Sequence, residues 1–282
     1  MSILVDYSQV FISNLVQSPQ FHNNEVEEDL VRHMVLNSLR SHRKRFSNQY
    51  GELVICCDSR EYWRKSLFEH YKAHRKRDRE NSSIDWNEIF KCLNKVKFEL
   101  STVFPYPLVE VSGAEADDII AVLCLYEKEK TLILSGDKDF MQLQSHKNVY
   151  QYSPMQKKFL KTDDPVKFKK EHIMRGDRGD GIPNFLSEGD VFVTGGRQKP
   201  LSKKKVDNWV NLEPEVFCDY KMMKGYKRNE LLVDLDKIPD DLVEDIKLEY
   251  IYTTENNNGR GKLLPYFMEN KLKNLMENIN DF

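Results

Sequence analysis

Sulfur is sparse and unpatterned in this chain. Its five cysteines are an odd number, none is set in a CxxC spacing, and Cys56-Cys57 lies inside an apolar run. That excludes a disulfide framework and a thiolate zinc site, and it fits buried thiols in a reducing compartment. The seven histidines show no HExxH pairing, so a zinc-protease helix is excluded too. No apolar run approaches the roughly 20 residues that a membrane span needs, and no membrane association is expected. Net charge is also lacking: 43 Lys and Arg stand against 45 Asp and Glu, for −2 overall. With 31% charged residues, the question is where each sign collects. The opening Met1-Ser2-Ile3-Leu4-Val5-Asp6 runs directly into a strand pattern, so a signal peptide is not expected. The expected location is the cytoplasm.

What the chain does have is a series of short carboxylate motifs. They are Ile3-Leu4-Val5-Asp6, Val54-Ile55-Cys56-Cys57-Asp58, Glu115-Ala116-Asp117-Asp118, Ser135-Gly136-Asp137-Lys138-Asp139 and Gly176-Asp177-Arg178-Gly179-Asp180. Taken singly, Asp6 and Asp58 read as strand-end residues capping a turn or helix. Glu115, Asp117 and Asp118 read as acids favoured in the first turn of a helix. Three carboxylates in four residues nevertheless exceed what a cap requires. Asp137 and Asp139 follow a strand at i and i+2, with Gly136 allowing an unusual backbone angle. Asp177 and Asp180, at i and i+3, can share one face of a glycine-flanked turn. Apolar runs that repeatedly end in Asp gather acids at one edge of one sheet. Gathered carboxylates repel, so such a cluster must titrate or hold cations. Oxygen-only ligands suit Mg²⁺ or Mn²⁺, which makes metal-assisted phosphodiester chemistry the first hypothesis.

The fold class read from the pattern is α/β, a mostly parallel central sheet flanked by helices, with a C-terminal helical subdomain. Strands are expected at 2–6, 53–57, 108–111, 131–135 and 149–152, alternating with helices at 26–46, 84–104 and 114–126. Prolines 105 and 107 stop the second of these helices. In such sheets, sites lie at the carboxyl ends of the strands, where Asp6, Asp58 and Asp137 fall. Beyond residue 160 the strand signal fades. Helices are expected at 164–174, 202–210, 213–223, 227–236, 240–251 and 268–280, with an irregular stretch at 185–198. The division is residues 1–160 as the α/β domain and 161–282 as a helical subdomain.

Two basic stretches complete the inventory. Arg60 to Arg79 carries eight Lys or Arg, interleaved with Tyr62, Trp63, Phe68 and Tyr71. Cations bind phosphates and aromatic faces stack on unpaired bases. Alone, the stretch reads as a solvated amphipathic helix. Starting two residues after Asp58, it must leave the sheet beside the acids, and that favours a polyanionic substrate. Arg197, Lys199, Lys203, Lys204 and Lys205 form the second stretch with no acid between them. A helix starting near Ser202 would turn backbone N–H groups toward a phosphate; a flexible basic loop reads equally well.

Val111–Ala121 (VSGAEADDIIA), then LILSGDKDFMQL, then IMRGDRGDGIP, together with Asp6 and Asp58 ahead of them, resemble the flap endonuclease family of structure-specific 5′ nucleases in both order and spacing. The resemblance spans nearly the whole chain, closest to a bacteriophage branch of the family. It implies two Mg²⁺ ions, with Mn²⁺ as a substitute. Asp6, Asp58, Glu115, Asp117 and Asp137 would serve the first and Asp139, Asp177 and Asp180 the second, with Asp137 between them. Asp118 matches an acid one step removed from the metals. Residues 60–80 match the family's helical arch. There, Arg64, Lys72 and Arg75 resemble cations that contact the scissile phosphate, with Lys65, Tyr71, Lys76, Arg77 and Arg79 as further nucleic-acid contacts. The chain departs from the family after Gly181-Ile182-Pro183, where many members carry a hairpin that grips duplex DNA and often K⁺. Arg197 to Lys205 is expected to take over that grip as a variant helix-turn-helix region.

The implied activity is that of a 5′ to 3′ exonuclease and flap endonuclease. It would remove RNA primers and adjacent DNA in phage replication, including RNA of RNA–DNA hybrids, within the host cytoplasm. The implied protein partners are a single-strand-binding protein or a sliding clamp, and the chain is expected to be a monomer. Two alternatives fit the sequence less well. A non-catalytic DNA-structure binding module predicts missing acids, and none is missing. A PIN-type ribonuclease lacks the arch and helical subdomain and fits a shorter chain.

Overall fold

A computed structural model of the chain describes residues 1–17 and 27–282. Val26, where the first long helix was expected to begin, lies outside the described residues. The strands are β1 (Ser2–Asp6), β2 (Glu52–Cys56), β3 (Leu108–Val109), β4 (Thr131–Leu134), β5 (Val149–Ser153) and β6 (Lys158–Leu160). They form one sheet in the order β3-β2-β1-β4-β5-β6. The first five are mutually parallel and β6 closes one edge antiparallel to β5. Register sets the site: Asp6 lies opposite Cys56, and Val5 opposite both Ile55 and Leu134. The chain therefore leaves β1, β2 and β4 at one level, and the acids just beyond these strands emerge together.

Strand side chains alternate between two cores. Ile3, Val5, Leu53, Ile55, Leu132 and Leu134 face a layer built from helices α1 (Tyr7–Gln17), α2 (Glu28–Tyr50) and, after the short α3 (Trp63–Leu67) and α4 (His74–Glu80), α5 (Trp86–Val103). Leu4, Val54, Cys56 and Ile133 face the other way, against α6 (Ala116–Tyr126). Both faces are covered, as parallel sheets require. Helix α5 is anchored by Asp85, whose side chain accepts from the N–H groups of Asn87 and Glu88. Its inner stripe, Ile89, Cys92, Val96 and Leu100, is buried.

After α7 (Pro165–Arg175) come α8 (Lys203–Trp209), α9 (Pro214–Phe217), α10 (Tyr220–Val233), α11 (Asp240–Glu255), α12 (Leu263–Glu269) and α13 (Lys273–Met276). These helices do not pack as one body. Ile173, Phe185, Val206, Tyr226 and Val233 share a third core with Phe68 and Tyr71 of the basic stretch. Leu242 and Ile246 join α6 on the second sheet face, and Phe267, Leu275 and Phe282 return to the first.

Several elements differ from expectation. Helix α1 follows β1 with no loop, and its Ser, Asn and β-branched residues hide it from propensity. The lone antiparallel β6 is only three residues long. The expected helices at 213–223 and 227–236 are instead the single turn α9 followed by the continuous α10. The terminal helix at 268–280 is broken at Lys271, whose φ is 55°.

Candidate active site

The strand ends and two turns deliver the acids to one cleft of about 590 Å³, lined by Asp6, Asp58, Asp117, Asp137, Asp139, Asp177 and Asp180. Asp6 accepts from the Gln9 N–H at 3.0 Å and the Ser135 hydroxyl at 3.2 Å. Asp58 accepts from the Ser8 hydroxyl at 2.7 Å and the Ala116 N–H at 2.9 Å, which ties the β2 end to the start of α6. Asp137 accepts from the Asp139 N–H at 2.9 Å, so these two acids turn together. Asp177 accepts from the Asp180 N–H at 3.0 Å in the same way. Gly176 precedes this turn at φ 67°, and a Cβ there would collide with the carbonyls of Ile182 and Pro183. Gly136, by contrast, has no positive φ. Its lack of a side chain serves a close approach instead, because a Cβ would meet Ser153 Oγ at 2.9 Å.

The eighth expected ligand, Glu115, lies beneath the cleft and is 1% exposed. It and Asp118 form a capping box at the start of α6. Lys72 Nζ donates to Glu115, and the Tyr71 hydroxyl lies 2.9 Å from both Glu115 and Asp180. Arg75 donates to Asp180 at 2.6 Å and to the Gly179 carbonyl at 3.0 Å. Lys72 holds this position with φ 54°, a left-handed conformation costly for a side-chain-bearing residue. Its N–H donates to the Asp180 carbonyl at 2.8 Å.

Two expected nucleic-acid contacts are corrected by this geometry. Arg64 is 2% exposed. It donates to Leu232 O at 2.9 Å and to Glu115 and Asp118 at 2.9 Å, with a further contact to Asp118 at 2.8 Å. No face of its guanidinium is left for a phosphate; it fastens α3 to α6 and α10. The Tyr71 ring is likewise in the third core, so no base can stack on it. Asp118, which also accepts from Trp63 Nε1 at 3.1 Å, is buried away from the cleft. Lys65, Lys76, Arg77, Arg79, Arg197, Lys199, Lys203, Lys204 and Lys205 are exposed, the last lying 5.9 Å from the Trp209 ring.

One residue was not anticipated. His172, in the last turn of α7, lies 3.4 Å from Asp139 and 3.4 Å from Asp177. The three can converge on one cation. Its only sequence signal is its place five residues before Asp177 on a helix that stops at Gly176.

Crowding shows in the acidities. Burial first, and then the charge of Asp58, pushes Asp6 up to about 7. Burial also lifts Asp139 to about 7; His172 opposes the shift, while Asp137, Asp177 and Asp180 add to it. Asp117 is raised well above the carboxylate range by burial and by Asp137 and Asp6. Asp177 is lowered, chiefly by its hydrogen bond to His172. Burial would pull His172 down, but Asp177 and Asp139 outweigh it and hold the ring toward the charged form. Lys72 is raised likewise, Asp180 and Glu115 outweighing burial. A set of oxygen donors whose mutual repulsion is this incompletely relieved fits divalent cations.

The chain is similar to known proteins along nearly its whole length. A family model described as the 5′-3′ exonuclease N-terminal resolvase-like domain matches residues 2–173, and one described as the T4 RNase H C-terminal region matches residues 168–282. The chain is 33% identical to the ribonuclease H of Enterobacteria phage T4, covering 99% of this chain and 95% of that protein. It is 27% identical to a 5′-3′ exonuclease of Buchnera aphidicola over 66% of each. In fold it is similar to a flap endonuclease of bacteriophage T5, solved with DNA and metal ions, at a TM-score of 0.63 and 18% identity over 90% of this chain and 99% of that one. Among the described residues no helix is long and apolar enough to cross a membrane. With its acid-lined cleft at the strand ends and both family models covering it nearly end to end, the chain belongs to the 5′-3′ exonuclease family, a family of phosphodiester-hydrolysing nucleases.

Proposed function

We propose that this protein is a 5′ to 3′ exonuclease and flap endonuclease that also degrades RNA paired to DNA, and that it removes RNA primers and adjacent DNA during phage replication. The observation that carries the reading is the convergence of seven carboxylates in one cleft, with Lys72 and Arg75 at its rim. Two Mg²⁺ ions, or Mn²⁺ in their place, would be held by Asp6, Asp58, Asp117 and Asp137 on one side and by Asp139, Asp177 and Asp180 on the other. Glu115, already engaged by Arg64, Tyr71 and Lys72, would act through water. When bound, such ions supply an activated water and stabilise the leaving 3′ oxygen.

The chain's own residues do the rest. Ser8, Ser135 and the backbone of α6 orient the first acids. Lys72 and Arg75 leave Asp180 and Glu115 when a phosphate enters, and offset the charge that develops on its oxygens. The exposed cations of Arg197–Lys205 hold the duplex by its phosphates. Residues 1–160 then act as the nuclease domain and 161–282 as the duplex-holding part. A single-strand-binding protein or sliding clamp in the host cytoplasm would be the partner of a monomer in that setting. The test is a 5′-labelled RNA–DNA hybrid, a nicked duplex and a flap, each with and without divalent metal. Asp137→Asn is expected to abolish cutting of all three while DNA binding persists; near wild-type cleavage by that variant would sink the assignment.

A further inference from the structure

The second set of acids has a nitrogen base built into it. Asp139 opens the short helical turn Asp139–Ser145, and Asp177 follows the end of α7. His172 stands between them, set back from the cleft wall that the two acids form. Its Nδ1 faces Asp139 and its Nε2 faces Asp177, each at 3.4 Å. Local structure holds the ring there. The His172 carbonyl accepts from the Gly176 N–H at 2.8 Å, so the ring and Asp177 belong to one capping turn. Phe168, one turn earlier on α7, packs edge-on against the imidazole with the ring centroids 6.0 Å apart.

The plainest account of such a contact is an ion pair, a protonated ring bridging two acids. Its distances do not fit a closed pair. Charge-assisted N–H···O bonds shorten to about 2.7–2.9 Å, and Arg75 reaches Asp180 at 2.6 Å. His172 stays 3.4 Å from both acids, and its Nδ1 is buried without a hydrogen-bond partner. A buried polar atom of that kind marks a place for an ion or a water. One oxygen of each acid and one ring nitrogen lie within 4.8 Å of one another. Ligands across a cation with bonds of about 2.0–2.4 Å are separated by up to that much. Asp180 is turned the other way: it accepts from the Tyr71 hydroxyl at 2.9 Å and from Arg75, with Lys72 3.6 Å away. In the first set, Asp6 and Asp58 are met by hydroxyls and backbone N–H groups instead. Oxygen-only sets suit Mg²⁺, whereas an imidazole nitrogen moves the preference toward first-row transition ions.

We propose that His172 is a nitrogen ligand of the second cation, together with Asp139 and Asp177, and that this position takes a first-row transition ion such as Mn²⁺ in preference to Mg²⁺. Until substrate arrives, Asp180 stays with Tyr71 and Arg75, and His172 supplies the third ligand. The two metal positions are then unlike in kind, one all-oxygen and one mixed. The proposal rests on the reading of the acid cleft as a two-metal nuclease centre. Mn²⁺ is added to the full chain without nucleic acid, at one ion per chain and pH 8, and electron spin-echo envelope modulation is recorded. An imidazole nitrogen coupling is expected, and labelling histidine with the heavy nitrogen isotope should change it. That measurement needs no substitution, so it stands even if a variant folds poorly. His172→Gln should remove the coupling and weaken the tighter Mn²⁺ site about tenfold or more, while Mg²⁺ affinity, read by competition, moves within about twofold. No nitrogen coupling in the unaltered protein, a coupling that persists in His172→Gln, or equal losses for the two ions overturns the proposal. Cutting by the unaltered protein is scored separately with Mg²⁺ and with Mn²⁺: failure with both sinks the nuclease reading, while the coupling still decides the role of His172.

Discussion

Two basic stretches of this chain meet opposite fates. In Arg60–Arg79, Arg64 disappears into the protein and Lys72 and Arg75 fold onto carboxylates. In Arg197–Lys205 every cation stays in water. Both are rich in cations, though only the first carries aromatics and acids. The difference lies in what each finds within reach: the first stretch leaves the sheet beside Glu115, Asp118 and Asp180, and its Phe68 and Tyr71 are pulled into a core that draws the cations after them. The second has only Leu201 packed against that core and no aromatic to draw its cations in. Basic charge near an acid cluster thus becomes architecture and site chemistry, whereas basic charge away from it stays available as a phosphate-holding surface.

The comparison can be broken most severely at Arg64. Arg64→Met leaves Asp118 buried without its charged partner and removes one of Glu115's. We expect a loss of about 3–5 kcal/mol in thermal or urea unfolding, far beyond anything a cation of the second stretch produces. Lys72→Ala tests the site side of the same stretch. It is expected to lower kcat by about 10²-fold or more, with a smaller effect on substrate affinity. A change in affinity alone would reduce Lys72 to a phosphate contact. The triple Lys203→Ala, Lys204→Ala, Lys205→Ala variant should do the reverse. It should keep kcat and stability, weaken duplex binding, and lower the salt slope of log K by about 2–3.

The smallest effect concerns the acids themselves. Asp6 and Asp139, pushed up to about 7, and Asp117, raised by burial and by Asp137 and Asp6, bind protons more tightly folded than unfolded. Such groups contribute stability below their unfolded pKa, near 4, and lose it as pH rises through about 7. The metal-free protein should therefore melt lower at pH 8 than at pH 5.5. Added Mg²⁺ or Mn²⁺ should raise Tm more at pH 8, on the order of 2–4 °C for each kcal/mol regained. Differential scanning fluorimetry with EDTA and with metal at both pH values reads this directly; a metal-induced rise that is larger at pH 5.5 would contradict it.

Much of the frame was legible because it is local. The runs Ile3–Val5, Leu53–Cys57 and Leu132–Leu134 are continuously apolar, as strands buried on both faces must be, and an acid follows each at or just beyond its carboxyl end. Helix α5 could be read from its stripe and the prolines beyond it. What was missed is weak in local signal. Helix α1 is rich in poor helix formers, β6 is a three-residue edge strand, and the break at Lys271 rests on one backbone angle. At the site, the acids were legible as a series, whereas the fates of Arg64, Tyr71 and His172 were not.

The sequence by itself determined that strands would alternate with helices and that carboxylates would gather at the strand ends. Alternation, apolar run length and chain direction are properties of neighbouring residues. The tertiary structure alone decided which cation meets which acid. Arg64 reaches Glu115 across 51 residues and Leu232 across 168, and His172 joins Asp177, just past its own helix, to Asp139 beyond β4. Such pairings depend on desolvation and on approach within about 3–4 Å, over which the energy of a charge pair changes steeply with surroundings. No spacing along the chain encodes that distance.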